Sequence, residues 1–158
     1  MMIAQHPRLI AALCVVFAPL AGLAPAHAAG SLCKLQISAN DLMQYDKKDL
    51  TVGPGCSQIE VTLTHVGKLP AAAMGHNWVL VKSVDLSAVA NAGAAAGFAN
   101  NYIEPGDPRV IAATRIVGGG QSASVTFPAA RLVKGASYMY LCTFPGHNAL
   151  MRGSFHYR

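Results

Sequence analysis

Gln58-Ile59-Glu60-Val61-Thr62-Leu63-Thr64 changes from polar to apolar at every step, and this period of two decides the fold class. Ile59, Val61 and Leu63 share one face of an extended strand while Glu60 and Thr62 take the other, which is the pattern of a half-buried strand. The same alternation returns in 34–38, 79–82, 110–117, 123–127, 138–142 and 154–157, with Gly, Pro, Asn and Asp between the runs. Seven to eight short strands spaced this way predict an all-β sandwich or barrel. The interval 85–107 breaks the rhythm with Ala88-Val89-Ala90-Asn91-Ala92-Gly93-Ala94-Ala95-Ala96-Gly97, read as a short helical insertion or an ordered loop. Gly118-Gly119-Gly120 lacks the lysine and helix of a phosphate cradle and reads as a tight hairpin connection.

Toward the C-terminus the chain runs Tyr140-Leu141-Cys142-Thr143-Phe144-Pro145-Gly146-His147-Asn148-Ala149-Leu150-Met151, a thiol, an imidazole and a thioether within one short turn. Thiolate and thioether suit soft metals and imidazole suits copper, so this is a ligand set for a copper electron-transfer centre that lacks one more imidazole. His76 supplies it from Met74-Gly75-His76-Asn77-Trp78, where Gly75 permits a close approach of backbone to a bound ion. A lone cysteine is more often an inert core thiol. His147 and Met151 beside Cys142 argue against that here. Trp78 reads as strand core.

Residues 1–28 combine Arg8, an apolar run over 9–20 and Ala26-His27-Ala28, the plan of a secretory signal peptide, which leaves 29–158 as one domain of roughly 130 residues. Pro19 and Pro25 interrupt the apolar run and no second one follows, which argues against a membrane anchor. Without Arg8, the leader's only basic residue, 11 of the 12 Lys and Arg face all 7 Asp and Glu, a net charge of +4. No basic run exceeds Lys47-Lys48, which excludes nucleic acid as a natural partner. Of four cysteines, Cys14 leaves with the leader. In an oxidising export compartment Cys33 and Cys56 are the natural pair, both in the N-terminal half beside predicted strands, and Cys142 is the odd thiol.

These residues carry a resemblance. The chain from Leu32-Cys33 through Asn40-Asp41-Leu42-Met43-Gln44 to the last strand resembles the azurins, periplasmic blue copper proteins of the cupredoxin family. The two ligand-bearing blocks, 74–80 and 142–151, are the strongest part of the match, with four residues between Cys142 and His147 and three between His147 and Met151. The resemblance implies a Greek-key sandwich, a Cys33–Cys56 disulfide, and one copper ion held by His76, Cys142 and His147, with Met151 and the Gly75 carbonyl as weak axial ligands. It further implies that Asn77 and the backbone amide of Phe144 donate to the Cys142 sulfur. Met43, Met74, Phe144, Pro145, Ala149 and Leu150 would form an apolar docking patch round the edge of His147, the electron port.

Where the family places a proline after the counterpart of His65, Val66 follows here, at the point to which a pH-linked backbone rearrangement would attach. Leu141 and Ala113 depart from the common pattern without touching the ligands, and His156 alternates with Phe155 and Tyr157 toward solvent.

The function so implied is single-electron transfer by Cu(II)/Cu(I) cycling in the periplasm. It is performed by a monomer that is free of the membrane once its leader is cleaved. The partners implied are c-type cytochromes, copper nitrite reductase or amine dehydrogenases. The alternative is a copper or zinc holder that buffers metal without redox turnover. A Cys142–His147 hydrolase is disfavoured because no third polar group orients the pair, so the chain does not read as an enzyme.

Overall fold

The computed structural model describes residues 30–158, so the leader expected over 1–28 lies outside the described residues. Among the described residues nine strands form two sheets. The first holds β1 (Ser31–Asn40), β2 (Gln44–Tyr45), β4 (Cys56–His65) and β7 (Ser122–Pro128) in the order β2-β1-β4-β7. The second holds β3 (Asp49–Val52), β5 (Val79–Lys82), β6 (Ala112–Ala113), β8 (Tyr138–Leu141) and β9 (Arg152–Tyr157) in the order β3-β9-β8-β5-β6.

β1 runs parallel to β4, with Ile37 opposite Leu63, and β3 runs parallel to β9, with Leu50 opposite Phe155. The remaining pairs are antiparallel. A tight turn cannot join parallel neighbours. The chain therefore leaves the first sheet through β3 and returns at β4, the crossing that a Greek-key sandwich requires. Cys33 and Cys56 form a disulfide that ties the start of β1 to the start of β4.

Ile59, Val61 and Leu63 are fully buried between the sheets, as their alternation predicts, opposite Trp78, Leu80, Tyr140 and Phe155. Burial of each such side chain contributes about 1.5–3 kcal/mol relative to exposure. Trp78 stacks on Tyr140 with ring centroids 5.9 Å apart and meets Phe155 edge-on at 6.1 Å. The 85–107 insertion contains a helix, α2 (Leu86–Ala96), which lays Leu86, Val89 and Ala90 on Val79, Val81 and Leu141. Val79, Leu80 and Val81 are therefore all buried, the sheet being covered on both faces there. Among the described residues no helix is long and apolar enough to cross a membrane.

Three strand expectations are corrected. The count is nine because β2 has two residues and β3 four, too short to stand out as periodic runs. The 110–117 run keeps only β6 and an isolated bridge from Val117 to His76. Side chains there take over backbone bonding, since Thr114 Oγ1 accepts from the Trp78 N–H at 3.0 Å and Asn101 Oδ1 from the Ile116 N–H at 3.0 Å. Gly118-Gly119-Gly120 is a tight turn, but it passes the chain from the His76 bridge to β7 in the other sheet instead of closing a hairpin.

Candidate metal centre

Two loops at one end of the sandwich carry the donors. His76 follows a short helix, α1 (Ala71–Met74), and Gly75, and its N–H and carbonyl both bond Val117, with distances of 3.0 and 2.8 Å. The 142–151 loop leaves β8 and re-enters at β9, and it is closed by the Cys142 N–H donating to the Met151 carbonyl at 2.9 Å and the Met151 N–H to the His147 carbonyl at 2.8 Å. Gly146 takes φ +82°, a left-handed conformation that favours glycine, and launches a single 3-10 turn at His147–Ala149.

His76, Cys142 and His147 offer donor atoms that all lie within 4.8 Å of one another. The Cys142 Sγ is 4.0 Å from His76 Nδ1, 3.8 Å from His147 Nδ1 and 4.0 Å from the Gly75 carbonyl oxygen. Donors bonded to one ion at about 2.0 Å for imidazole nitrogen and about 2.3 Å for thiolate sulfur cannot lie more than about 4.3 Å apart. Both sulfur–nitrogen distances lie inside that limit. The three side chains also fit copper by type, as two imidazoles and a thiolate beside a thioether. Met151 is fully buried in the same apolar cluster as Cys142.

The protonation pattern suits metal binding. His76 Nε2 faces the Asn40 carbonyl at 2.9 Å, and because a carbonyl only accepts, that nitrogen carries the proton and Nδ1 presents its lone pair toward Cys142. Burial lowers the His76 pKa to about 4, against the opposing pull of the Asn40 carbonyl, and burial also lowers that of His147. Burial pushes the Cys142 thiol up to about 11, although the backbone amides of Asn77 and Phe144 point at the sulfur and oppose the shift. The Asn77 amide that faces sulfur is thus the main-chain one. Its side chain instead donates to the Asn101 carbonyl and Thr143 Oγ1, both at 2.8 Å, and accepts from the Thr143 N–H at 2.9 Å.

Gly75 also serves another end than a close approach to metal. A Cβ there would lie 2.3 Å from the Ala71 carbonyl oxygen and 2.7 Å from Ile116 Cγ1, so the glycine makes room for the short helix and the segment ahead of Val117.

His147 is only 4 % exposed. It is stacked against Phe144 with ring centroids 4.4 Å apart, and Tyr102 meets Phe144 at 4.9 Å. Round this end Leu150, Ala149 and Pro145 are exposed and Met43, Met74 and Phe144 half-buried. Leu42, Val66 and Leu69 add exposed apolar surface that the sequence reading did not include. His65 is fully buried, 4.5 Å from the His76 ring between centroids, with its Nε2 3.0 Å from Asp41 Oδ1. Val66 donates its N–H to the Ala39 carbonyl at 2.8 Å, a bond a proline could not make. His156 lies exposed, 3.4 Å from Asp49.

A Greek-key sandwich with a buried thiol and two neutral imidazoles at one end defines a class, the β-sandwich proteins built round one mononuclear soft-metal site. The chain belongs to the plastocyanin/azurin family of copper binding proteins, whose pattern it matches over residues 31–156. It is 51% identical over 121 residues to Azurin-1 of Alcaligenes xylosoxydans xylosoxydans, covering 77% of this chain and 94% of that one. It is 46% identical over 122 residues to the azurin of Pseudomonas aeruginosa, covering 77% of this chain and 82% of that one. Among solved structures, the azurin Az-iso2 of the obligate methylotroph Methylomonas sp. strain J superposes with a TM-score of 0.77 at 43% identity, covering 80% of this chain and 98% of that one.

Proposed function

We propose that the protein is a type 1 (blue) copper carrier, not an enzyme, that passes single electrons between redox proteins of the periplasm. One observation carries the reading, the approach of His76 Nδ1 and His147 Nδ1 to within 4.0 and 3.8 Å of the buried Cys142 thiol. His76, Cys142 and His147 would hold the ion, with Met151 and the Gly75 carbonyl as weaker donors beside them. Bound copper supplies a one-electron couple between Cu(II) and Cu(I).

The chain's own groups do the rest. Asn40 orients the His76 ring, and the main-chain amides of Asn77 and Phe144 draw electron density from the sulfur. Burial of Cys142 and Met151 keeps water out, so no open position remains for substrate, as a catalytic metal site would need. His147 is the donor nearest the surface, 4 % exposed where His76 and Cys142 are fully buried, and its Nε2 has no partner among the described residues. The apolar surface of Met43, Met74, Phe144, Ala149 and Leu150 supports brief docking there, since small interfaces separate quickly.

The Cys33–Cys56 disulfide supports residence in an oxidising compartment, as does the leader read over 1–28. Partners of the c-type cytochrome, copper nitrite reductase or amine dehydrogenase class fit a monomeric carrier there. The air-oxidised protein should show intense visible absorption that bleaches on reduction and is absent from Cys142→Ala. A colourless product loaded with zinc, or colour that survives loss of the thiol, would overturn the reading.

A further inference from the structure

Lys48 lies between β2 and β3, and its ammonium donates to the Leu150 carbonyl, 2.9 Å away, at the end of the ligand loop. The backbone beneath it is held firmly. Tyr140 donates its hydroxyl to the Lys47 carbonyl at 2.7 Å, and Ser154 its N–H to the Lys48 carbonyl at 2.8 Å. Gly153 leaves this approach open, since a Cβ there would lie 2.2 Å from Tyr140 Oη and 2.5 Å from the Lys48 carbonyl oxygen. An exposed lysine normally spends rotamer entropy to hold one position. Here one of its three ammonium hydrogens is already anchored, and two remain without a partner among the described residues.

Leu150, the residue so anchored, is 55 % exposed, and Arg152 stands exposed two residues further on. The neighbouring charges are already matched. Lys47 pairs with Asp46 at 3.0 Å, Asp46 also accepts from the Ser38 N–H at 2.7 Å, and Asp49 lies 3.4 Å from His156. Among the described residues neither Lys48 nor Arg152 has a carboxylate partner. Two uncompensated cations therefore flank an exposed leucine on the loop that carries His147.

We propose that Lys48, Leu150 and Arg152 form a docking surface for an acidic redox protein, one that sets carboxylates round an apolar exchange site. The proposal rests on the electron-carrier reading and names the chemistry of its partner. Opposite charges steer the encounter and fix its orientation while the apolar centre excludes water. With copper bound, the exchange would be of one electron, the partner's haem iron or copper being oxidised as the copper held here is reduced, or the reverse. No bond forms and no proton moves.

The test is stopped-flow electron exchange between the copper-loaded protein and one c-type cytochrome, used before and after succinylation turns its surface lysines into carboxylates. At about 10 mM ionic strength, where charges act over about 30 Å, the succinylated form should react about tenfold faster or more. That advantage should vanish at about 1 M salt, where charges reach only about 3 Å. The Lys48→Gln, Arg152→Gln double variant should lose most of the advantage and keep its colour and its high-salt rate. Arg152→Gln alone, which leaves the Leu150 clamp intact, should lose part of it.

Titration of the zinc-loaded protein with succinylated cytochrome should shift the amide signals of Lys48, Leu150 and Arg152 and not those of the variant. A double variant that retains the low-salt advantage overturns the proposal. So does charge-dependent binding to phosphatidylglycerol vesicles combined with indifference to the cytochrome's charge, which would give the surface to lipid. A protein that takes up no colour defeats the carrier reading itself, whereas a coloured, exchanging protein blind to partner charge defeats only the docking surface.

Discussion

Asn77 and Thr143 face each other between the two donor-bearing segments, with the Thr143 N–H donating to Asn77 Oδ1 at 2.9 Å and Asn77 Nδ2 to Thr143 Oγ1 at 2.8 Å. Both are buried, and Thr143 passes the contact on by donating its hydroxyl to the Tyr102 carbonyl at 2.6 Å. Each residue is next in sequence to a donor, so this pair sets the distance between His76 and Cys142. Asn77→Leu leaves the buried Thr143 N–H unpaired at about 1–3 kcal/mol and takes a donor from the part-buried Asn101 carbonyl. The unfolding midpoint in denaturant should fall accordingly, with broadened visible and paramagnetic resonance signals in the copper form. An unchanged midpoint would remove the pair from the list of supports.

Proton release on metal binding follows from the site's pKa values. With His76 lowered to about 4, His147 lowered and Cys142 raised to about 11, the metal-free protein at pH 7 carries neutral rings and a protonated thiol. Loading should release close to one proton, all of it from Cys142. Calorimetric titrations in buffers of different ionisation enthalpy count it, and a value near two or zero would contradict these ionisation states.

Acid stability of the metal-free protein has the same origin. Between pH 6.5 and about 4 an unfolded His76 binds a proton that the folded one refuses, so the unfolded state holds more protons and stability rises with pH. His76→Gln should flatten that part of the profile, measured by denaturant unfolding at stepped pH.

The disulfide acts far from the donors, seven residues before Asn40 along β1. Closing a chain separation of 23 residues is worth about 3 kcal/mol by loop entropy, so Cys33→Ser with Cys56→Ser should lower Tm by roughly 10 °C. The visible spectrum should stay as it was.

Trp78, the single tryptophan, is fully buried, and its Nε1–H has no partner. Its fluorescence should peak at short wavelength, resist iodide quenching and move to the red on unfolding. Early red emission would place water beside the ring.

How far the sequence could be read depends on what each feature consists of. Ile59, Val61 and Leu63 announce their strand because period two is written in side-chain polarity, and the metal donors announce themselves because few residue types bind soft metals. The contact of Asn40 with His76 left no mark in the sequence, since the group it contributes is a carbonyl every residue owns. The Asn77 side chain went to Thr143 rather than to sulfur because three neutral partners lay within its reach and a main-chain amide already served the thiol. The Lys48 clamp joins residues 102 positions apart and leaves no local pattern.

The parallel pairing of β3 with β9 has a consequence for how the protein comes into being. Cys142, His147 and Met151 sit between β8 and β9, so a chain delivered from its amino end brings only His76 of the donors until β8 has been delivered, and β3 waits longer still for β9. Metal capture is in this sense a late act of assembly, because a chain cut short before Cys142 brings no thiolate to the site.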